Sequence, residues 1–314
     1  MIIFESLDEI KDLEPTAVAL GNFDGVHYGH QELIKKAVAK AKKDNLKSAV
    51  FTFSNHPKDL LPGATKVKCI LAQRDKYEII ESLGVDYLFS IPFTTEIMTM
   101  DRRDFVEKLL IEKFNMHAAF CGFNYRFGFK AGGNPDFLRE VGKEDHFDVE
   151  EMDAYKINDN IVSSSFIRTL IASGQVEQCE TYMGRNYFIG GEVVVGNKLG
   201  RTIGFPTSNL VIDPDMVTPP NGVYITYCTY NGVRYPSVTN VGIKPTIGTY
   251  KKNVETHIFN FDKELYGKEI EVEFLKKTRD EVKFDDIQEL SDQILRDCRE
   301  AKEYHLEHGW NPEQ

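Results

Sequence analysis

The sequence contains few cysteines and none of the spacings that cysteine chemistry requires. Its 314 residues include five cysteines, which are odd in number, widely scattered and without a CxxC pair. That distribution argues against a disulfide framework, a thiolate metal site and a redox motif. We expect reduced and mostly buried thiols that take no part in catalysis.

Long hydrophobic runs and clusters of basic residues are also missing. No stretch approaches the length of an apolar membrane span, and the amino terminus lacks the basic and apolar segments of a signal peptide. The formal net charge of −11 would repel a nucleic-acid backbone or an anionic membrane, because no basic run offsets it. We therefore expect a cytoplasmic protein with no nucleic-acid partner and no membrane partner.

The first half of the chain alternates apolar strand patterns with amphipathic helical patterns. The predicted strands are Ala17–Leu20, Ala49–Phe53, Val85–Ile91 and Ala118–Gly122. Helical patterns lie between them, for example at Lys76–Leu83. This alternation predicts an α/β domain over residues 1–184 with a doubly wound, Rossmann-like parallel sheet, in which ligands bind at the carboxyl ends of the strands.

The second half, residues 185–314, is rich in short β patterns separated by turn signals. The predicted strands are Phe188–Val195, Gly222–Tyr230, Val233–Thr239, Thr256–Phe261 and Ile270–Phe274. They predict antiparallel pairing in a small barrel or sandwich. A final helix should bury a stripe from Ile287 to Ala301 and begin with a capping box formed by Asp285 and Gln288.

A glycine-rich segment with two histidines follows the first predicted strand and opens a helix. Its candidate nucleotide-binding residues are Gly21, Asn22, Phe23, Asp24, His27, Gly29 and His30. Glycines let the backbone approach a phosphate, and a helix start offers unpaired N–H groups. The two imidazoles are candidates for stabilising a nucleotidyl transfer at the α-phosphorus of ATP. The alternative is that one histidine caps the helix and the other packs in the core.

Two further segments of the first half are candidate ligand contacts. A run of three serines that includes Ser164 opens a helix, where hydroxyls and backbone N–H groups could hold the β- and γ-phosphates while Arg168 neutralises the leaving pyrophosphate. Asn124, Tyr125 and Phe127 lie in an aromatic loop that could hold a flat ring. The alternatives are a plain helix N-cap and a turn after a buried strand.

A second glycine-rich loop precedes the sequence Phe205-Pro206-Thr207-Ser208-Asn209. The candidate ATP-binding residues of this loop and of the sequence after it are Gly196, Lys198, Gly200, Arg201, Thr207 and Asn209. The Thr207 hydroxyl and the Asn209 side-chain oxygen could complete the shell of a Mg²⁺ ion that is otherwise held by phosphate oxygens and water. The alternative is a β-turn built on Pro206.

One glutamate in a strand pattern is a candidate general base. Glu255, His257 and Phe259 should share one face of their strand. The Glu255 carboxylate could accept the proton of a substrate hydroxyl that attacks the γ-phosphate of ATP. The alternative is an exposed glutamate without a role in catalysis.

These motifs together resemble the bacterial bifunctional riboflavin kinase/FMN adenylyltransferases, the FAD synthetases, over nearly the whole chain. The motifs are GNFDGVHYGH, SSSFIR, GRTIGFPTSN, NGVY, NVGIKPT, ETH and RDEVKF. This sequence departs from the usual family pattern at three positions. Ser165 stands where threonine is common in the family, Ser208 where alanine is common, and Asn55 where proline is common. The last departure predicts a reshaped loop near the adenylyltransferase pocket.

The resemblance implies a nucleotidyltransferase domain followed by a β-barrel riboflavin kinase domain, each using ATP and Mg²⁺. Riboflavin would become FMN at the second site, with Glu255 as the base, and FMN would become FAD at the first. The resemblance also implies a flavin-side loop that contains Arg279, Glu281 and Phe284. We expect a monomer or a weak homo-oligomer. Two alternatives stay open: a riboflavin kinase with a degraded transferase half, and a flavin- or nucleotide-binding regulator without turnover.

Overall fold

A computed structural model describes residues 1–60, 63, 65–196, 204–246 and 249–312. The chain divides into two units, Met1–Ser164 and Ser165–Gln314. The division after residue 184 that the sequence pattern indicates stays a prediction.

The first unit is built on a six-stranded sheet in which every neighbouring pair of strands is parallel. The order is β1-β4-β3-β2-β5-β6. The strands are β1 (Ile2–Phe4), β2 (Thr16–Leu20), β3 (Lys47–Phe53), β4 (Tyr87–Ile91), β5 (Met116–Gly122) and β6 (Asp148–Met152). A short hairpin, β7 (Lys156–Ile157) with β8 (Asn160–Ile161), follows.

Helices connect the strands of this sheet. They are α1 (Tyr28–Asp44), α2 (Gln73–Ser82), α3 (Thr95–Thr99), α4 (Arg102–Asp104), which continues as a π-helix over Phe105–Lys113, and α5 (Pro135–Glu144). Short 3₁₀ turns occupy Leu7–Glu9, Pro57–Leu60 and Phe129–Ala131. The four predicted strands and the predicted Rossmann-like sheet are confirmed.

The sequence pattern did not predict the two edge strands of this sheet, β1 and β6. The central strands β2 and β4 are buried along their whole length, as expected for strands covered on both faces, and therefore appear as apolar runs. By contrast, β1 is only three residues long with Ile2 exposed, and β6 carries three acidic residues. Edge strands with short or charged sequences give no apolar run to detect.

The second unit contains a closed barrel with the strand order β10-β13-β12-β11-β14-β9, in which all neighbouring strands are antiparallel. The strands are β9 (Tyr187–Val194), β10 (Ser208–Val211), β11 (Gly222–Tyr230), β12 (Val233–Thr246), β13 (Thr249–Ile258) and β14 (Glu269–Arg279). The helices are α6 (Ser164–Ser173), α7 (Cys179–Met183) after a 3₁₀ turn at Val176–Gln178, and α8 (Ile287–Glu307). The predicted small antiparallel barrel with a carboxy-terminal helix is confirmed.

The strand predicted at Thr256–Phe261 begins and ends earlier in the structure, at Thr249–Ile258. The chain turns at Asn260, whose φ is 53°, so Phe261 lies outside the sheet. A residue with a left-handed backbone conformation ends the strand here, although the apolar sequence pattern continues beyond it. The four-residue strand β10 was also missed, since its apolar content is short.

Helix α8 packs on the outer surface of the barrel. Cys298 and Ala301 join Val223, Val238 and Phe259 in one apolar cluster. The predicted stripe is wrong at its start, where Ile287 is 59% exposed. The predicted cap is wrong by one residue: the Asp286 side chain accepts a hydrogen bond of 2.8 Å from the Glu289 N–H.

All five cysteines are free, and four of them are buried. Burial raises the pKa of Cys298 to about 11 and that of Cys121, Cys179 and Cys228 to about 12. A thiol with a raised pKa is a poor nucleophile at neutral pH, as expected for structural cysteines. Within the part of the chain that the structure describes, no helix is both long enough and apolar enough to cross a membrane.

Candidate active sites

The loop between β2 and α1 has a strained backbone. Phe23 has φ 50° and Val26 has φ 33°, whereas Gly25 has φ 79°. Left-handed φ values cost free energy for bulky and β-branched residues and persist only where the surroundings enforce them. Here the side chains of Phe23 and Val26 are fully buried, so packing holds the loop.

Three side-chain hydrogen bonds tie this loop to neighbouring segments. The Thr52 hydroxyl at the end of β3 donates to the Asn22 carbonyl at 2.9 Å. The Asp24 carboxylate accepts from the Ile70 N–H at 2.8 Å, and the Asp24 carbonyl accepts from the Ser164 hydroxyl at 2.8 Å. The predicted residues Asn22, Asp24 and Ser164 therefore lie together at the carboxyl ends of β2 and β3.

The two predicted imidazoles are stacked at the start of α1. The ring centroids of His27 and His30 are 3.6 Å apart, with 17° between the ring planes. His27 is the N-cap: its Nδ1 accepts a hydrogen bond from the His30 N–H at 3.3 Å. A neutral His27 that accepts at Nδ1 carries its proton on Nε2. His27 therefore caps the helix, and its contact with phosphate stays a prediction.

Gly29 permits this close arrangement. A Cβ at this position would lie 3.2 Å from the Tyr155 Cβ and 3.3 Å from the His27 ring. Gly21 is similarly crowded, since its Cβ would meet the Phe23 ring at 3.2 Å. The glycines of the motif give room for side chains to pack on the loop.

The remaining predicted residues of the first site have different surroundings. Arg168 lies one turn after Ser164 on α6 and falls in the second unit. Asn124 is exposed, and Tyr125 is partly exposed, although burial of its hydroxyl raises the Tyr125 pKa. Phe127 is only 5% exposed and packs against Phe105 in the core, with ring centroids 5.1 Å apart. Their contacts with flavin stay predictions.

Asn55, where the family commonly has proline, pairs with a backbone segment after β4. Its side-chain Nδ2 donates to the Phe93 carbonyl at 3.1 Å, and its Oδ1 accepts from the Phe93 N–H at 2.6 Å. The ring of Phe93 packs edge-on against Phe53, with centroids 4.8 Å apart. Proline has no side-chain amide, so this link depends on the asparagine.

A second candidate site is a cavity of about 260 Å³ at one end of the barrel. Three of the predicted kinase residues line it: Gly196, Thr207 and Asn209. The predicted residues Lys198, Gly200 and Arg201 lie outside the described residues. A segment that the sequence reasoning missed also lines the cavity, namely residues 261–266. Its only sequence signal was the turn at Tyr266-Gly267.

Glu255 and Asn209 occupy paired positions on neighbouring strands. Asn209 on β10 lies directly opposite Glu255 on β13, and Asn240 on β12 lies opposite Glu255 on its other side. Directly paired residues of antiparallel strands project from the same face. Asn209 is 4% exposed, whereas Glu255 is partly exposed and so accessible to a substrate.

His257 connects the strand of Glu255 to the Thr207 segment. Its Nδ1 lies 2.8 Å from the Pro206 carbonyl, and its ring meets Phe205 with centroids 5.7 Å apart. Burial lowers the His257 pKa, so the neutral ring donates from Nδ1 to the carbonyl. The predicted grouping of His257 with Phe259 is present, with ring centroids 5.6 Å apart.

The predicted flavin-side loop after β14 is held by side-chain contacts. The Arg279 guanidinium makes a two-pronged pair with Asp297 of α8 at 2.8 and 2.7 Å. The Glu281 carboxylate accepts from the Asn221 amide at 2.9 Å, and Phe284 is partly exposed. Arg279 therefore connects this loop to the helix, and the flavin contacts of all three residues stay predictions.

The first unit has a parallel sheet with two stacked histidines at a helix start, and the second has a barrel that pairs Asn209 with Glu255. This combination is typical of an enzyme of nucleotide-dependent transfer. The family model for FAD synthetase matches residues 9–166, and that for riboflavin kinase matches residues 183–305. The chain belongs to the bifunctional riboflavin kinase/FMN adenylyltransferase family.

Individual relatives agree with this assignment. The bifunctional riboflavin kinase/FMN adenylyltransferase of Bacillus subtilis is 37% identical over 92% of each chain, and that of Haemophilus influenzae is 34% identical over 93% of this chain and 95% of its own. A crystal structure described as a macrolide-efflux protein from Streptococcus pneumoniae is 29% identical, covers 99% of both chains and has a TM-score of 0.87. That description concerns the pneumococcal protein; for this chain the likeness establishes a shared fold.

Proposed function

We propose that this chain phosphorylates riboflavin to FMN in the barrel unit and adenylylates FMN to FAD in the parallel-sheet unit, using ATP for each step. The observation that carries the proposal is the pairing of Asn209, which lines the barrel cavity, with Glu255 on the neighbouring strand. The stacked pair of His27 and His30 supports the second reaction.

In the kinase reaction Glu255 acts as the general base. Its carboxylate accepts the proton of the terminal riboflavin hydroxyl as that oxygen attacks the γ-phosphorus of ATP. The bond between the γ-phosphorus and the β–γ bridging oxygen breaks, and ADP leaves. The partial exposure of Glu255 allows the hydroxyl to reach it.

Mg²⁺ would be held at this site by the Thr207 hydroxyl and the Asn209 side-chain oxygen together with ATP oxygens. Hard oxygen donors suit Mg²⁺, which keeps few protein ligands at nucleotide sites. Among the described residues no three His, Cys, Asp or Glu side chains form a metal site of their own. When bound, the ion offsets negative charge on the phosphates.

In the adenylyltransferase reaction an FMN phosphate oxygen attacks the α-phosphorus of ATP and pyrophosphate leaves. The Nε2–H of His27 donates to a phosphate oxygen on which charge develops, and His30 is placed beside it by the stacking. The start of α1 is assigned to the same phosphates, because the first backbone N–H groups of a helix have no partner within it. Ser164 is assigned to the pyrophosphate side, and the role of Arg168 there stays a prediction.

The cellular location and the binding partners of the enzyme are also part of the proposal. The net charge of −11 supports a cytoplasmic enzyme that binds small molecules and has no nucleic-acid partner. Its state as a monomer or weak homo-oligomer stays a prediction.

A chromatographic assay with two variants tests the proposal. Riboflavin with Mg²⁺ and ATP should yield FMN and then FAD. Glu255→Ala should abolish FMN formation while FAD formation from supplied FMN continues. His30→Ala should reduce FAD formation at least tenfold and leave FMN formation unchanged.

Three outcomes contradict the proposal. FMN without FAD from the wild type would indicate a kinase with an inactive transferase unit. Bound but unchanged riboflavin would indicate a binding protein. Equal loss of both reactions in either variant would contradict two independent sites.

A further inference from the structure

We propose that Asn253 is a positioning residue for the kinase reaction, whose side-chain amide orients Asn209 and Glu255 relative to each other. This inference rests on the proposed kinase activity of the barrel unit. No sequence motif drew attention to Asn253, which is two residues before Glu255 on β13.

The geometry places Asn253 between the two functional side chains. Its Nδ2 donates to the Asn209 Oδ1 at 3.0 Å and to the Glu255 Oε1 at 3.0 Å. Asn253 and Glu255 share a strand face because they are two residues apart, and Asn209 lies opposite Glu255 on β10. Asn253 is 6% exposed, so water competes little for these bonds.

The donor pattern allows only one orientation for each amide. An ionised carboxylate only accepts hydrogen bonds, so Asn253 must turn its NH₂ towards Glu255. The same NH₂ reaches Asn209, which must therefore turn its oxygen towards Asn253. The Asn209 Nδ2 then faces the Thr207 carbonyl, at 3.4 Å. The acceptor oxygen of Glu255 thus fixes, through Asn253, which atom of Asn209 is the oxygen.

Packing closes the other side of Asn209. A Cβ on Gly196 would lie 2.5 Å from the Asn209 Nδ2 and 2.7 Å from its Cγ and Oδ1. The amide is therefore held between the Gly196 backbone and the Asn253 side chain. Since Asn209 is the proposed oxygen donor to the Mg²⁺ of Mg²⁺·ATP, a rotated amide would present nitrogen where oxygen is needed.

The primary test replaces Asn253 with alanine, which removes both donated hydrogen bonds. Residues that orient metal ligands cost 10–100-fold in activity or metal affinity when changed. We expect kcat for FMN formation to fall about 10–100-fold. The Mg²⁺ concentration that gives half the maximal rate should rise, because Asn209 loses its fixed orientation.

An equilibrium measurement separates positioning from general damage. The dissociation constant of Mg²⁺·ADP, titrated in the presence of riboflavin and followed by flavin fluorescence, should rise by about 10–100-fold. Trp310 is the single tryptophan and packs on Phe259 in the barrel unit, so its emission and thermal transition report whether that unit is folded. Both should match the wild type.

Asn186→Ala is the matched control. The Asn186 amide also donates to a strand glutamate, Glu273 of β14, at 3.3 Å, but β14 pairs with β9 and β11 and not with the strands of Asn209 and Glu255. Its kinase constants should stay within twofold of the wild type. FAD formation from supplied FMN should be unchanged in both variants.

Asn253→Asp provides a second variant of nearly the same size that cannot donate either bond while its carboxylate is ionised. Wild-type kcat and Mg²⁺·ADP affinity in this variant, or in a folded Asn253→Ala, would overturn the proposal. An equal loss in Asn186→Ala would overturn it as well. If the wild type forms no FMN, the proposed function itself fails, which is a different result.

Discussion

Replacing Gly196 with alanine should selectively disable the barrel site, and the structure allows the size of the effect to be worked out. The new Cβ would lie 2.5–2.7 Å from three atoms of the Asn209 amide, well inside van der Waals contact. Asn209 is 4% exposed and hydrogen-bonded to Asn253, so it cannot move into solvent without losing that bond. Overpacking of this kind costs about 1–3 kcal/mol.

That cost acts on the active arrangement of the site. If Asn209 moves to relieve the overlap, the arrangement with its oxygen in place becomes less populated by roughly 5- to 150-fold. We expect kcat for FMN formation to fall by a factor in that range. The rate should be measured by chromatography at saturating riboflavin and Mg²⁺·ATP, together with FAD formation from supplied FMN, which should not change.

Gly191→Ala is the control for Gly196→Ala. Gly191 lies on β9 in the same barrel, and the nearest heavy atom to its new Cβ would be the Leu210 Cδ2 at 3.9 Å, an ordinary contact. Its kinase rate should stay within twofold of the wild type. A Gly196→Ala enzyme with wild-type kinetics would refute the reasoning, because the overlap would then have been relieved without disturbing the site.

Two further predictions concern the stability of each unit. Burial lowers the pKa of His257 and His305, so the folded barrel favours the neutral form of both side chains. The stability that depends on these neutral forms is present above the pKa of the unfolded state, about 6.5. It is lost as the pH falls through the lower pKa values of the folded state. Urea unfolding followed by Trp310 emission should show a lower midpoint at pH 5.5 than at pH 7.5, and a midpoint that rises on acidification would contradict this sign. In the first unit, Gly133→Ala would place a Cβ 2.4 Å from the Phe127 ring, which should destabilise that unit by about 1–3 kcal/mol. FAD formation should then be lost at a lower temperature than in the wild type while FMN formation keeps its thermal profile, and identical profiles for both reactions would show that the overlap has no effect.

Much of the first site could be predicted because its residues are close in sequence. Gly21 to His30 lie on one strand-to-helix connection, so local signals of strand, glycine and helix start were enough to bring them together. A capping histidine was predicted only as an alternative, and the stacking of the His27 ring on His30 was not predicted. It follows from a ring rotation that packing against His30 and Gly29 decides.

The barrel site was predicted by residue type and not by contact. Thr207 and Asn209 were recognised as suitable oxygen ligands and Glu255 as a suitable base, but Asn209 and Glu255 meet only because β10 pairs with β13 in one register. Strand register and barrel closure depend on long-range pairing that no local pattern encodes. Asn253 and residues 261–266 were missed for the same reason.

The amino-acid sequence by itself determined the two architectures, because strand and helix periodicity and turn residues are local properties. It also determined which side chains are chemically able to bind phosphate. Tertiary structure alone decided how those side chains are oriented: Ser164 reaches the Asp24 carbonyl across 140 residues and Asn253 reaches Asn209 across 44. Hydrogen-bond partners at such separations are chosen by packing and strand register, which exist only once the chain has folded.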